Sequence, residues 1–181
     1  MIFTPTEMAG SFVIDVDPFT DERGWFARFY CKNEFKKIGH SKEWVQLNHS
    51  STNKRGTIRG MHFQNRPFSE IKMVKCIAGR IYDVIIDLRN GSSTFLHWFG
   101  IILSAENKKM LYIPEGFAHG FQCLEDKCDL IYHHSEFYTP EAEAGIPFDD
   151  PKINIQWPLP TTNLSVRDRN HPYLNENFNG I

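Results

Sequence analysis

Short runs rich in β-branched and aromatic residues recur along this chain, and they constrain its fold more than any other feature. They are "SFVIDV" (11–16), "GWFARFY" (24–30), "WVQLNHS" (44–50), "TIRGMHFQ" (57–64), "KMVKCIA" (72–78), "IYDVIIDL" (81–88), "LHWFGIIL" (96–103), "AHGFQCL" (118–124) and "CDLIYHHSEFY" (128–138). Gly, Asn, Asp and Lys separate them, a spacing that belongs to an antiparallel sandwich or barrel. "AGR" at 78–80 reads as a tight hairpin, and "RNGSST" (89–94) and "PEG" (114–116) read as turns. Helical signal is poor. "KNEFKKIG" (32–39) can hold one short helix, with Asn33 as its cap and Gly39 as its stop. The last stretch, "LSVRDRNHPYLNENFNGI", has no clean period. The expectation is an all-β fold, one domain over residues 1–181 with short helical and loop extensions.

Composition narrows the function classes. A formal net charge of −2 over 181 residues leaves no basic footprint for nucleic acid or a membrane surface. No apolar stretch approaches the roughly 18 residues of a spanning helix, and "MIFTPTEMAGSFVIDVD" lacks the pattern of a signal peptide. The expected location is the cytoplasm. Cys31, Cys76, Cys123 and Cys128 form no CxxC pair, which argues against a zinc cage and for free thiols.

Side chains alternate faces along a strand. That parity groups Ile58, Gly60, His62 and Gln64; Lys72, Val74 and Cys76; His119, Phe121 and Cys123; Cys128, Leu130, Tyr132 and His134; and Gln46, Asn48 and Ser50. Each set mixes polar with apolar groups, which suits a barrel interior that is partly a pocket. Solvent-facing polar residues would give the same pattern strand by strand. Arg59 points away from His62 by parity, unless a bulge at Gly60 re-aims it or Arg59 serves another part of the site.

Ordered motifs add a resemblance. "RGTIRGMHFQ", the long stretch from "IKMVKCIAGR" to "IPEGFAHGF", "ERGWF", "WVQLNHS", "GIPFDDPKINIQWP" and "LSVRDR" resemble successive blocks of the dTDP-4-dehydrorhamnose 3,5-epimerase family of the cupin superfamily. The similarity runs over roughly residues 10 to 170. It implies a jelly-roll barrel with its core at about 44–138 and a homodimer that exchanges N-terminal strands. It also implies a nucleotide-linked 4-keto-6-deoxyhexose substrate, with no cofactor and no metal. The reaction would invert C3 and C5 by removing and replacing protons beside the C4 ketone. Such chemistry needs a base, a stabiliser for the ketone oxygen and an acid on the opposite face.

By this resemblance His62 is the base, Asp168 orients it, Tyr132 is the acid, and Lys72 and His119 face the enolate oxygen. Arg59 and Arg167 would neutralise the diphosphate. Arg23, Arg28, Gln46, Asn48, Tyr138 and Glu143 match further substrate-contact positions. Metal-binding cupins usually carry HxH where this chain has His62 and Gln64, and a carboxamide is a poor ligand beside imidazole.

The chain departs from the family pattern in places. Arg28 stands where a Glu that contacts the nucleotide is usual, so the nucleotide is left open. Glu70 replaces a usual Gln beside Lys72, "IPFDDP" replaces a usual Leu-Trp-Asn, and Phe137-Tyr138 replaces a Tyr-Tyr pair. Competing readings are an epimerase acting at C3 or C5 alone, a 3,4-ketoisomerase, a metal-dependent cupin oxygenase and a silent sugar-nucleotide binder.

Overall fold

The computed structural model describes residues 1–181. Its strands in chain order are β1 (Ile2–Pro5), β2 (Phe12–Asp15), β3 (Phe19–Asp21), β4 (Gly24–Phe26), β5 (Gln46–Thr52), β6 (Ile58–Gln64), β7 (Lys72–Ala78), β8 (Arg80–Asp87), β9 (Trp98–Ser104), β10 (Met110–Ile113), β11 (Phe117–Cys123), β12 (Cys128–His134) and β13 (Glu143–Gly145). Two one-turn helices, α1 (Lys32–Phe35) and α2 (Val166–Arg169), complete it.

Two antiparallel sheets form the body. One runs β1-β2-β10-β7-β12-β5 and the other β13-β6-β11-β8-β9. Val74, Cys76 and Leu130 of the first pack against Ile81, Ile85 and Phe121 of the second, and this sandwiched layer is the main core. The outer faces are also covered. Met73, Met110 and Ile14 lie under Phe35 of α1, and Met61, Val84 and Ile86 lie under Ile146, Ile153 and Ile155. Strands buried on both faces therefore read as continuous apolar runs rather than clean alternation. The all-β jelly-roll expectation holds.

The boundaries differ in instructive ways. "AGR" is not a hairpin: β7 and β8 lie in different sheets, and Gly79 (φ +71°) carries the chain from one to the other. Because β7 and β8 each bury both faces, a crossing between layers closes the core where a hairpin would leave it open. Asn33 lies inside α1, whose N-cap is Cys31 with no side-chain cap; Gly39 (φ +80°) does end the turn that follows. The 24–30 run forms strand only over Gly24–Phe26, and it pairs with β3 alone as a two-stranded hairpin apart from both sheets. Phe19 and Phe26 of that hairpin are 70% and 76% exposed.

One irregularity positions the site. Along the β6–β11 pair, His119 faces His62 but Phe121 faces Arg59, so β6 carries one extra residue between the two. Residues 119 and 121 share a face, so Arg59 and His62 do as well. The bulge expected as one resolution of the Arg59 parity problem is present. Gly60 (φ +120°) makes it possible: a Cβ there would sit 2.6 Å from Gly120 Cα.

Candidate active site

A cleft of about 1070 Å³ opens between the sheets. His62, Lys72, Tyr132, Asp168, Gln46, Asn48, Arg59, His119, Tyr138, Glu143 and Arg167 all line it. Side chains from β5, β6, β7, β11, β12, β13 and α2 thus meet in one place, although they span residues 46 to 168.

His62 Nε2 lies 2.8 Å from Asp168 Oδ1. Asp168 reaches His62 from α2, which Ser165 caps by accepting the Asp168 N–H at 3.0 Å. The Gly60 N–H donates to the second oxygen, Oδ2, at 3.3 Å. Burial pushes the Asp168 carboxyl up, but His62 and these donors outweigh it and hold the group below its ordinary value. With Nε2 committed to Asp168, Nδ1 is the nitrogen of His62 left to exchange a proton.

In the same cleft, the Tyr132 hydroxyl lies 2.9 Å from Ser50 Oγ. Burial raises its pKa, which keeps the phenol protonated. His119 Nε2 lies 2.8 Å from Asp83 Oδ1, a carboxylate with no solvent exposure. Lys72 Nζ lies 2.8 Å from Glu70 Oε1. The floor of the cleft thus carries an imidazole with its carboxylate, a protonated phenol and an ammonium group. That set can remove a proton, stabilise an oxyanion and return a proton from another side.

Two guanidinium cations also line the cleft. Arg59 is held by Thr52 Oγ1 at 2.9 Å and the Ser51 carbonyl at 3.1 Å. Arg167 grips Glu143 at 2.7 and 2.8 Å, with Nη2 3.2 Å from His62 Nε2. Tyr138 donates to the same Glu143 at 2.8 Å. Two guanidinium groups in one cleft suit a diphosphate.

Gln64 is not placed as a ligand. Its amide donates to the Phe68 and Phe137 carbonyls, and its oxygen accepts the Thr139 N–H at 2.7 Å. It ties loops together. The group best able to hold a metal is His62, Asp168 and His171, with donor atoms within 4.8 Å of one another. The Arg167 guanidinium beside His62 opposes a cation there.

Two expected contacts are not brought together. Arg23 pairs with Asp21 on the exposed β3–β4 hairpin. Arg28 pairs with Glu34 at 3.0 Å, with its side chain 64% exposed. Neither lines the cleft of its own chain: Arg23 stays on the exposed hairpin, and Arg28 is held at α1 by Glu34, next to Phe29 and Tyr30, which pack against the Phe35 cluster. Conversely, sequence reasoning did not identify Asp83, Ser165 or His171 and gave no role to His134. Asp83 and His134 have partners far along the chain, so no local spacing marks them; Ser165 and His171 lie three positions either side of Asp168, and the Ser-x-x-Asp spacing of "SVRD" is a local signal that could have found Ser165.

Comparison with known proteins agrees with this geometry. The dTDP-4-dehydrorhamnose 3,5-epimerase family profile matches residues 5–176. The Shigella flexneri dTDP-4-dehydrorhamnose 3,5-epimerase is 42% identical over 166 residues, 91% of each chain. The crystal structure of the enzyme of that name from Elizabethkingia anophelis NUHP1 superposes with a TM-score of 0.93 at 36% identity, covering 98% of both chains. The dTDP-6-deoxy-D-glucose-3,5-epimerase of Legionella pneumophila Philadelphia 1, solved with dTDP-4-keto-L-rhamnose, superposes at 0.92 and 36% identity, covering 97% of this chain and 94% of that one. Similarity in sequence over almost the full length and in fold places this chain in the dTDP-4-dehydrorhamnose 3,5-epimerase family.

Proposed function

We propose that this enzyme inverts C3 and C5 of a dTDP-linked 4-keto-6-deoxyhexose by proton transfer, with no cofactor. The observation that carries the reading is the His62–Asp168 pair, 2.8 Å apart, in a cleft shared with Lys72 and Tyr132. His62 Nδ1 takes the proton α to the ketone, and Asp168 stabilises the imidazolium that forms. The electron pair left on carbon moves into the carbonyl, and Lys72 and His119 stabilise the resulting C4 enolate. Tyr132 returns a proton to the opposite face. Arg59 and Arg167 hold the diphosphate, and Gln46, Asn48, Tyr138 and Glu143 contact the rest of the substrate.

Arg23 and Arg28 enter this reading through a second copy. The β3–β4 hairpin projects with Phe19 and Phe26 exposed, an apolar surface that a homodimer would cover. In such a dimer the hairpin of one subunit would lend Arg23, and the segment after it Arg28, to the cleft of the other. Residues 1–181 act as one domain in this view, because α2 from the C-terminal part completes a site built on β6. No helix is long and apolar enough to cross a membrane. Four free thiols suit the reducing cytoplasm, where we place the enzyme.

Incubation of the protein with dTDP-4-keto-6-deoxyglucose in heavy water tests the reaction. Deuterium at both C3 and C5 is expected. Labelling at one carbon alone would make it a mono-epimerase, and labelling at neither would refute the reading.

A further inference from the structure

A chain of hydrogen bonds with a single direction runs along the cleft wall to Lys72. The Tyr138 backbone N–H donates to Gln46 Oε1 at 3.1 Å. A backbone N–H can only donate, so the Gln46 carboxamide must turn its NH₂ the other way. That NH₂ donates to Asn48 Oδ1 at 3.3 Å, which fixes the second carboxamide in turn. Asn48 Nδ2 then lies 3.3 Å from His134 Nε2. On the other side of the ring, His134 Nδ1 lies 2.6 Å from Glu70 Oε2. The second Glu70 oxygen lies 2.8 Å from Lys72 Nζ.

Both ends impose the same polarity. Burial pushes the Glu70 carboxyl up, but His134 and Lys72 together outweigh it and hold the group below its ordinary value. It is therefore a carboxylate that only accepts. A His134 tautomer with its proton on Nε2 would set acceptor against acceptor at the buried Glu70 link, besides donor against donor at the more exposed Asn48 link. The Glu70, Lys72 and His134 side chains are 9%, 11% and 12% exposed, so little water is at hand to repair such a mismatch.

We propose that Glu70 and His134 are positioning residues of the epimerase: the chain from Tyr138 fixes His134 as its Nδ1–H tautomer, and His134 in turn aims the Glu70 carboxylate at the Lys72 ammonium. The inference rests on the enolate-stabilising role given to Lys72 above. It explains why a carboxylate tolerates burial here, and it adds a function for His134, whose ring also stacks against Tyr132 (centroids 6.1 Å apart, planes at 27°). The Lys72 ammonium is then held between its carboxylate and the substrate oxygen, which limits where it can point.

Two measurements test it. Nitrogen-15 NMR of the histidine rings in the wild-type protein, without substrate, reads the tautomer. A proton on Nδ1 and a bare Nε2 for His134 are expected; an Nε2–H tautomer overturns the proposal. The second is steady-state kinetics of Glu70→Gln, which keeps shape but must lose either the His134 or the Lys72 contact. A fall in kcat of about 10- to 100-fold is expected, with KM within about threefold and the variant still folded at the assay temperature. Wild-type kcat in Glu70→Gln would also overturn it. An inactive wild-type protein would instead refute the epimerase reading, while the tautomer measurement, made on wild type without substrate, would still stand.

Discussion

His62 Nε2 and Asp168 Oδ1 lie 2.8 Å apart although 106 positions separate them in the chain. The contact exists because the one-turn helix α2, capped by Ser165, presents Asp168 to β6. Asp168→Asn keeps the shape but cannot stabilise the imidazolium. It is expected to lower kcat about 10²- to 10⁴-fold while substrate binding changes little. Single-turnover kinetics with product quantified by NMR checks this, and a near wild-type rate would remove Asp168 from the mechanism.

Tyr132→Phe deletes the hydroxyl that lies 2.9 Å from Ser50 and keeps the ring. Proton loss from the substrate is expected to continue while net inversion slows by about 10²-fold or more. Loss of label from substrate tritiated at C3 and C5, measured beside product formation, separates the two steps. Unchanged inversion would exclude Tyr132 as the acid.

Much of this site was legible in the sequence because its residues stand in ordered blocks. His62, Lys72, Tyr132, His119 and Asp168 were identified that way, and all five line one cleft. Strand parity also grouped Lys72 with Val74 and Cys76 correctly, since alternation survives wherever a strand is regular. Parity alone could not place Arg59, because the extra residue in β6 shows in sequence only as Gly60. Asp83 and the Gln46–Asn48–His134–Glu70 chain were illegible for a different reason. Apart from Gln46–Asn48, which share a face of β5, each contact joins segments distant in the chain, and the alignment of those segments is set by the sheets. β1, β3, β10, β13 and α2 were missed because three or four residues are too few to display a period. "AGR" misled because a turn between layers and a hairpin use the same residues.

The dimer reading makes a prediction for Arg23, which lies on the exposed hairpin while His62 lies in the cleft. If one subunit's hairpin completes the other's cleft, Arg23→Ala and His62→Ala are each impaired alone. Their mixture, after subunit exchange, should recover up to about a quarter of wild-type activity, since half the dimers would carry one intact site. No recovery from a mixture shown to exchange subunits would place Arg23 outside catalysis.

Asp87 gives a stability test remote from the chemistry. Burial pushes its carboxyl up, but Arg89, Ser92 and Thr94 outweigh burial and hold it at about 2, against an ordinary 3.8. A depressed carboxylate stabilises the fold above its unfolded pKa, and the contribution is lost as pH falls through the folded value. Asp87→Asn should therefore destabilise by about 2 kcal/mol at neutral pH. Chemical denaturation at several pH values should show the difference shrinking between about pH 4 and pH 2. A pH-independent difference would contradict the assignment.

The central claim is that one base, His62, opens both carbons. The most direct measurement is deuterium incorporation from heavy water at C3 and at C5 of a dTDP-4-keto-6-deoxyhexose, followed by NMR for wild type and His62→Ala side by side. Wild type is expected to label both positions. His62→Ala is expected to label neither above the buffer background, a loss of about 10²- to 10⁴-fold or more. Exchange at either carbon near the wild-type rate in His62→Ala would contradict the account.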